Sequence, residues 1–344
     1  MKECISNFFF HAYKWQPRSR LLNIQEKQFS NKKAKMQWWY YDFFSDNGLI
    51  GVLAFIPQKW WQNTKLASIT DSYVMLSLRE ADGRIVRYMQ EVNSAQFVFK
   101  DTGLQIGDCI TLNYKVENGK SHHHLQFNFE GVKGWLDLTS NTDPFSALPL
   151  GTLSGLARKI GKQSEWSRSQ FRYVSQIPNG GVQGQLKTIE KETHFIGYGY
   201  HEQGWFNDEP HLLNQGWSWF HFLHPECNIF GLPEGYIYVR MKDQIVLGGM
   251  CLFIENYKME IKKFENSTSP KILTGGQIRF ESKGIKIEIH LDSDTNQELI
   301  EFNAIKTAQL WNTSVVQSTC SIKIKDQSYN FSGHAMLETC WLQK

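Results

Sequence analysis

The order of apolar and polar residues along the chain predicts β-strands almost throughout. From residue 38 onwards, short runs of alternating or continuous apolar residues are separated by turn residues, as at 45–48, 81–83 and 117–119. A period of two is typical of strands, and Asn-Gly or Asp-Gly pairs between such runs predict hairpins. Many short strands at regular spacing favour an antiparallel sandwich or barrel. We therefore predict an all-β protein.

Two segments depart from this pattern. Residues 145–162 place apolar side chains at helical spacing, which predicts one amphipathic helix inserted in the β pattern. Residues 1–35 are basic and irregular, and we interpret them as an N-terminal arm. Neither segment changes the predicted fold class.

The chain also contains an internal repeat. In a frame that aligns Trp39 with Trp219, the first aromatic strand meets a second aromatic run. The ends of the two units match as well, because GYGYHE at 197–202 parallels GHAMLE at 333–338. Pairing between an opening and a closing strand is what closure into a barrel requires, so we expect two tandem barrels.

Composition narrows the function classes. Lys and Arg number 37 and Asp and Glu number 34, and this balance does not indicate a nucleic-acid partner or an acidic membrane surface. Aromatic residues make up 14% of the chain, including 12 Trp. Such side chains form cores, and they also line cavities for apolar ligands. We therefore expect a hydrophobic small-molecule partner.

The remaining signals are weak. The six cysteines are scattered without a CxxC pair, which predicts free and mostly buried thiols. His122 and His124 can share a strand face, but no third ligand is apparent, so we predict a polar strand face and no metal. No apolar run approaches the ~20 residues that span a bilayer, and no signal peptide is evident. We expect a cytoplasmic protein without an integral membrane segment.

Four motifs resemble one protein family. They are WWYYDF at 38–43, PNGGVQG at 178–184, GYHEQGW at 199–205 and WSW at 217–219. They resemble the tandem lipocalin-like family, which includes hydroxyneurosporene synthase (carotenoid 1,2-hydratase), AttH-like proteins and lipocalin-like Diels–Alderases. The resemblance implies two lipocalin-like barrels. The expected organisation is an arm at 1–35, a first barrel with the helical insertion at 36–205, and a second barrel at 206–344.

The resemblance also implies chemistry on hydrophobic polyene, isoprenoid or polyketide substrates without a cofactor, in a pocket in or between the barrels. In an acid-initiated route, a neutral carboxyl protonates a double bond, and Glu202 is the first candidate and Asp42 the second. In a pericyclic route, orientation lowers the barrier and His201, Gln203 and Tyr40 donate hydrogen bonds. The full set of candidates is catalytic Glu202, His201 and Asp42, and substrate-binding Trp39, Tyr40, Tyr200, Gln203, Trp205, Trp217 and Trp219.

Three alternatives stay open at this point. Strand alternation places His201 and Glu202 on opposite faces, so both cannot point into one barrel. A Glu that recurs at 202 and 338 can be structural, for example by accepting hydrogen bonds from Trp N–H groups of the opening strand. The Trp residues can belong to the core. A non-catalytic carrier of an apolar ligand is therefore the rival function, and the sequence indicates no oligomeric state.

Overall fold

The computed structural model describes most of the β-rich part of the chain. The described residues are 36–56, 72–145, 171–206, 216–232, 236–242, 244–250, 258–262, 276–282, 284–304 and 309–341. They fall into two compact units, which divide between residues 211 and 212. The predicted arm lies outside these ranges, and so does the predicted helix at 145–162 except for Phe145, which forms a bridge with Ser175. Within the described ranges, no helix combines the length and apolarity that a bilayer crossing requires.

The first unit is a single antiparallel sheet of eleven strands. Its strands are β1 (Met36–Ser45), β2 (Ile50–Ile56), β3 (Ser72–Arg79), β4 (Ile85–Val92), β5 (Phe97–Lys100), β6 (Gly103–Ile106), β7 (Ile110–Glu117), β8 (Lys120–Phe129), β9 (Val132–Ser140), β10 (Phe171–Thr188) and β11 (Glu192–Phe206).

Neighbouring strands in this sheet follow the order β4-β3-β2-β1-β11-β10-β9-β8-β7-β6-β5. The opening strand β1 therefore pairs with the closing strand β11, as predicted from the repeat. The sheet also curls, because the rings of Tyr88 on β4 and Phe129 on β8 lie 6.5 Å apart. The predicted antiparallel, barrel-like architecture is confirmed for this unit.

The opening strand β1 is buried on both of its faces. Trp39, Tyr41 and Phe43 point into the apolar core enclosed by the curled sheet. Tyr40 and Asp42 point to the opposite face and are also buried, at 3% and 1% exposure. Burial on both sides explains why the aromatic run of this strand shows no polar alternation. We call the core side of this sheet the inner face and the other side the outer face.

Strand β10 runs without a break through the Pro-Asn-Gly-Gly segment at 178–181, although these residue types are typical of turns. The pairing with β11 shifts between Val174 and Ile177 and again between Ile177 and Gly180, so β-bulges absorb the irregular residues. Turn-forming residues therefore mark bulges here and not a chain reversal.

The second unit is a ten-stranded antiparallel sheet. Its strands are β12 (Gly216–His224), β13 (Cys227–Leu232), β14 (Tyr236–Met241), β15 (Gln244–Met250), β16 (Lys258–Lys262), β17 (Gly276–Ser282), β18 (Ile285–Leu291), β19 (Gln297–Ala304), β20 (Gln309–Ile324) and β21 (Gln327–Trp341). The order is β15-β14-β13-β12-β21-β20-β18-β17-β16, and β19 pairs with β20. Opening strand β12 again pairs with closing strand β21.

The second unit encloses its own apolar core. Phe220, Phe222 and Leu337 point into it. The core also holds Cys227 of β13 and Cys320 of β20, although β12 and β21 separate these two strands in the sheet. A hydrogen bond with the Cys227 thiol, together with burial, raises the pKa of Cys320 well above its usual range. Cys109, Cys227 and Cys320 are free and buried, as predicted.

The strand register corrects the frame of the internal repeat. Trp39 lies in the first core, whereas Trp219 alternates with the core residue Phe220 and lies on the opposite face. In β11, Glu202 pairs with Tyr40, and in β21, Glu338 pairs with Trp219. Tyr40 therefore corresponds to Trp219, so the predicted opening frame was wrong by one residue. The match between the closing strands is retained.

Candidate functional site

Strand β11 carries two different sets of polar side chains on its two faces. His201 pairs with Tyr41 and Gln203 pairs with Trp39, so both lie on the inner face. Glu202 pairs with Tyr40 and lies on the outer face. The predicted separation of His201 and Glu202 by strand alternation is confirmed. We call the outer-face residues around Glu202 the acid site and the inner-face residues around His201 the inner site.

The Glu202 carboxyl accepts hydrogen bonds from two side chains. Trp38 Nε1 donates to Oε1 at 3.0 Å, and the Tyr200 hydroxyl donates to Oε2. The hydroxyls of Tyr173 and Tyr200 lie 2.7 Å apart. Because the single proton of Tyr200 is directed to Glu202, Tyr173 donates to Tyr200. The acid site is therefore a chain of donors that ends at one carboxyl.

The position of Trp38 depends on a glycine in the neighbouring strand. Trp38 pairs with Gly204, and a Cβ added at Gly204 would lie 2.2 Å from the indole ring. Glycine therefore lets the indole lie flat across β11 and reach Glu202, two residues away. This contact fits the structural role considered for the recurring Glu, because a Trp of the opening strand donates to it.

Burial determines the protonation of Glu202. Burial raises its pKa above the usual range, and the negative charge of Asp42 acts in the same direction. The donors Tyr200, Trp38 and Tyr173 lower the pKa without cancelling the effect of burial. In the described part of the chain, no Lys or Arg pairs with this carboxyl. Glu202 thus has the environment of a carboxylic acid that holds its proton more tightly than usual.

The inner site is organised around the His201 ring. His201 Nδ1 donates to the Tyr40 backbone carbonyl at 3.0 Å, and the ring stacks on Tyr41 with centroids 4.0 Å apart. Burial lowers the pKa of His201 to about 3, against a smaller raising effect of the Tyr40 bond. The ring is therefore neutral near pH 7 and its Nε2 carries a lone pair. His201 was predicted to donate to substrate, but only an acceptor nitrogen is left for that contact.

Three polar atoms of His201 and Gln203 have no hydrogen-bond partner among the described residues. They are His201 Nε2 and both amide atoms, Nε2 and Oε1, of Gln203. Both side chains are 0% exposed. Buried polar atoms are nearly always paired in folded proteins, so such a group of unpaired atoms requires an explanation.

Sequence reasoning missed His123, which belongs to the inner site. Its Nδ1 lies 3.0 Å from the Tyr41 hydroxyl, and its ring centroid lies 4.6 Å from that of His201. Burial and the neighbouring His201 hold the pKa of His123 well below the usual value. The signal was available, because His123 alternates in step with the core residues Leu125 and Phe127 along β8.

The other two histidines of this run lie on the outer face. His122 Nδ1 contacts Thr139 Oγ1 at 3.0 Å, and His124 Nδ1 contacts Asp137 Oδ1 at 2.5 Å. Across the ranges that the structure describes, no three His, Cys, Asp or Glu side chains are grouped as a metal site would need. His122 and His124 thus lie on a polar strand face.

The remaining predicted residues lie on two faces of the first unit and in the second unit. Asp42, Tyr40 and Tyr200 join Glu202 on the outer face, and the rings of Tyr40 and Tyr200 lie 6.3 Å apart. Trp39 and Trp205 lie on the inner face by register. Trp219 belongs to the second unit, where its ring lies 5.7 Å from His221. The side chain of Trp217 lies outside the described residues.

Comparisons with known proteins place this fold. No protein-family model and no curated protein matches the sequence. Among solved structures, kievitone hydratase from Nectria haematococca is 12% identical, with a TM-score of 0.57 and coverage of 93% of this chain and 92% of that chain. CghA is 10% identical, with a TM-score of 0.59 and 93% coverage of each chain.

A third neighbour is a putative AttH from Nitrosomonas europaea, 12% identical, with a TM-score of 0.54 and coverage of 93% of this chain and 97% of that chain. All of these neighbours are tandem lipocalin-like proteins, and each aligns over nearly its whole length. Two curled antiparallel sheets, each with its opening strand paired to its closing strand, therefore give this chain the tandem lipocalin-like fold.

Proposed function

We propose that the protein is a cofactor-independent enzyme of the hydratase or cyclase type, with Glu202 as the proton donor. The substrate class that we propose is a hydrophobic polyene of isoprenoid or polyketide origin. The observation that carries the proposal is the buried Glu202 carboxyl, whose pKa is raised by burial and which no described Lys or Arg neutralises. Kievitone hydratase and CghA, a Diels–Alderase, share the fold and support this reaction class.

The first proposed step is proton transfer from Glu202 to a substrate double bond. The carboxyl O–H bond breaks, a C–H bond forms at one alkene carbon, and the other alkene carbon becomes cationic. Water then attacks the cation in a hydration, or an internal alkene attacks it in a cyclisation. A proton lost from the attacking water or from the cyclised cation returns to the carboxylate, which restores the acid.

The donors around Glu202 suit the second half of this cycle. Once the proton has left, Tyr200 and Trp38 donate to a full carboxylate, and Tyr173 supports Tyr200. Hydrogen bonds to a charged acceptor are stronger than those to a neutral one, so these contacts strengthen as charge develops on Glu202. Asp42 lies on the same face, and its charge adds a small contribution to the pKa of Glu202 that burial raises. We assign Asp42 a positioning role.

The direct test is Glu202→Gln. We expect this variant to keep the fold and to lose turnover, because an amide of the same shape has no acidic proton. The assay incubates the protein with polyene alcohols, prenylated phenols and linear polyene carbonyl compounds. Mass spectrometry detects hydration as the addition of water, and chromatography detects cyclisation as a shifted product of unchanged mass.

The matched control is Glu192→Gln on the same strand. Glu192 is exposed and pairs with Lys187, so this change should leave turnover unaffected. Turnover at the wild-type level in Glu202→Gln would remove the acid mechanism. A pericyclic reaction would then remain.

The second candidate function is a carrier of an apolar ligand. The specific observation in its favour is the inner site, whose unpaired His201 and Gln203 atoms suit binding and include no acid. Saturable binding without any product from the same compounds, in the presence of an intact Glu202, would favour the carrier.

A further inference from the structure

We propose that the interior of the first unit is a second ligand site, separate from the acid site, for a neutral apolar molecule whose hydroxyl donates to His201 Nε2. The proposal is independent of the acid chemistry, because His201 and Glu202 lie on opposite faces of β11. A ligand on the inner face therefore contacts His201 and Gln203 without reaching the carboxyl.

The unpaired atoms indicate that an occupant belongs here. His201 Nε2 and the two Gln203 amide atoms are wholly buried, and no residue in the described ranges pairs with them. Leaving buried donors and acceptors unpaired costs free energy, which a ligand with matching groups would recover. Bulk water does not reach these side chains, so the partner has to be an internal occupant. Neighbouring side chains must move to admit it.

The tautomer of His201 determines what that occupant must offer. The Tyr40 carbonyl can only accept, so the ring proton lies on Nδ1 and the neutral Nε2 can only accept. A hydroxyl donates to such a nitrogen. A carboxylate or an ether can direct only lone pairs at Nε2 and therefore forms no hydrogen bond with it. The ligand at this position therefore carries a donor and no negative charge.

Gln203 sets the second requirement. It follows His201 by two positions on the same face, and its amide provides one acceptor and two donor hydrogens. A hydroxyl oxygen that donates to His201 can accept from the Gln203 amide. A neighbouring carbonyl on the ligand can accept from it as well. The pair therefore fits an alcohol or a hydroxy-carbonyl group.

The surroundings set the third requirement. The His201 ring is held by the stacked Tyr41 ring, whose hydroxyl is bonded to His123. Beyond these groups, the inner face is lined by the apolar core, and Trp39 packs against Phe99 with centroids 5.5 Å apart. The polar end of the ligand thus meets fixed partners, and the rest of it meets apolar side chains.

The test compares three probes that differ only at the polar end. Farnesol has a donor hydroxyl, farnesyl methyl ether lacks the donor, and farnesoic acid is a carboxylate at pH 7. Binding to the full-length protein is followed by quenching of tryptophan fluorescence. We expect farnesol to bind at least about tenfold more tightly than either of the others, the difference that ~1.4 kcal/mol of hydrogen-bond energy gives.

Variants then assign the preference to the inner site. In His201→Phe and in Gln203→Leu, farnesol and its methyl ether should bind equally, while Glu202→Gln should keep the wild-type preference. Near-ultraviolet circular dichroism checks that each variant is folded. If one inner-site variant does not fold, the other, compared with Glu202→Gln, still assigns the preference.

Three results would overturn the proposal. The first is equal binding of the alcohol and the ether by the wild-type protein. The second is tightest binding of the acid. The third is no saturable binding of any probe, which would mean that trapped water alone pairs with the His201 and Gln203 atoms.

Discussion

At the scale of single residues, Glu202 balances two opposing effects. Burial raises its pKa, and the hydrogen bonds of three aromatic side chains, Tyr200, Trp38 and Tyr173, lower it. Removing a donor leaves the burial effect in place, so each such change should raise the pKa further. The direction of the shift therefore tests whether these contacts act on the acid.

Tyr200→Phe is the sharpest of these changes. A hydrogen bond to a charged group contributes about 1.5–3 kcal/mol, so its loss should raise the pKa of Glu202 by about 1–2 pH units. The acid works when protonated, so turnover is present below this pKa and lost as pH rises through it. The alkaline limb of the pH profile should move to higher pH. The control is Tyr198→Phe, which lies on the same face without a bond to Glu202. An unchanged alkaline limb of the pH profile in Tyr200→Phe would contradict the assignment of Glu202 as the acid.

The same carboxyl makes stability depend on pH. A folded-state pKa raised above the unfolded value means that the folded protein binds the proton more tightly. The contribution of Glu202 is then fully present below its unfolded pKa and is lost as pH rises through its folded pKa. Urea unfolding should show Glu202→Gln gaining stability relative to wild type with rising pH, by up to ~1.4 kcal/mol per unit of pKa shift. A constant difference across pH would contradict the raised pKa.

At the scale of strands, aromatic rings lie over glycines of neighbouring strands. Phe43 covers Gly51, Trp38 covers Gly204, and Phe195 covers Gly184. Each ring occupies the space that a Cβ would need. These pairs fix the register of β1 and β11, and with it the alternation that separates the two candidate sites.

Gly184→Ala tests one of these pairs. An added Cβ would lie 2.4 Å from the Phe195 ring and 2.8 Å from the Trp135 carbonyl oxygen. We expect a loss of about 1–3 kcal/mol in the free energy of unfolding, as for overpacked sites. Gly181→Ala is the matched control in the same strand, since nothing lies within 4 Å of its added Cβ. Equal effects of the two changes in urea unfolding would show that the ring contact is unimportant.

The strand scale also shows where sequence reasoning succeeded and failed. Alternation predicted the pairing faces of His201 and Glu202, because a strand has only two faces. It missed the bulges of β10, because Asn179 and Gly180 signal a turn and a bulge equally well. The repeat frame failed at Trp219, because an aromatic strand buried on both faces shows no regular alternation of polar and apolar positions to fix its phase.

At the scale of the whole molecule, each unit has its own apolar core. Leu125 is 0% exposed in the first core and Ile289 is 0% exposed in the second. Leu125→Ala and Ile289→Ala should each cost about 2–5 kcal/mol. Hydrogen exchange read by mass spectrometry should show lost protection in strands of the substituted unit. Equal loss in both units from either change would indicate a single cooperative unit.

The fold was predictable at this scale although no family model or curated protein matches the chain. The motif at 199–205 lies on β11, and the motif at 38–43 lies on β1, which are the paired opening and closing strands. Short motifs at structurally required positions indicate an architecture even at 10–12% identity. The inner site was not predictable as a group, because it needs the distance between His123 on β8 and His201 on β11.

One consequence follows from the alternation along β11. Even-numbered positions at its end, 200 and 202, belong to the acid site, and odd-numbered positions, 201 and 203, belong to the inner site. A substitution at an even-numbered position leaves the contacts of the inner site in place, and one at an odd-numbered position leaves those of the acid site in place. Single substitutions in this one strand can therefore change the reaction at the acid site while the ligand preference of the inner site is kept. They can equally change the ligand preference while the reaction is kept. Inserting or deleting one residue upstream in β11 would instead exchange the two sets at once.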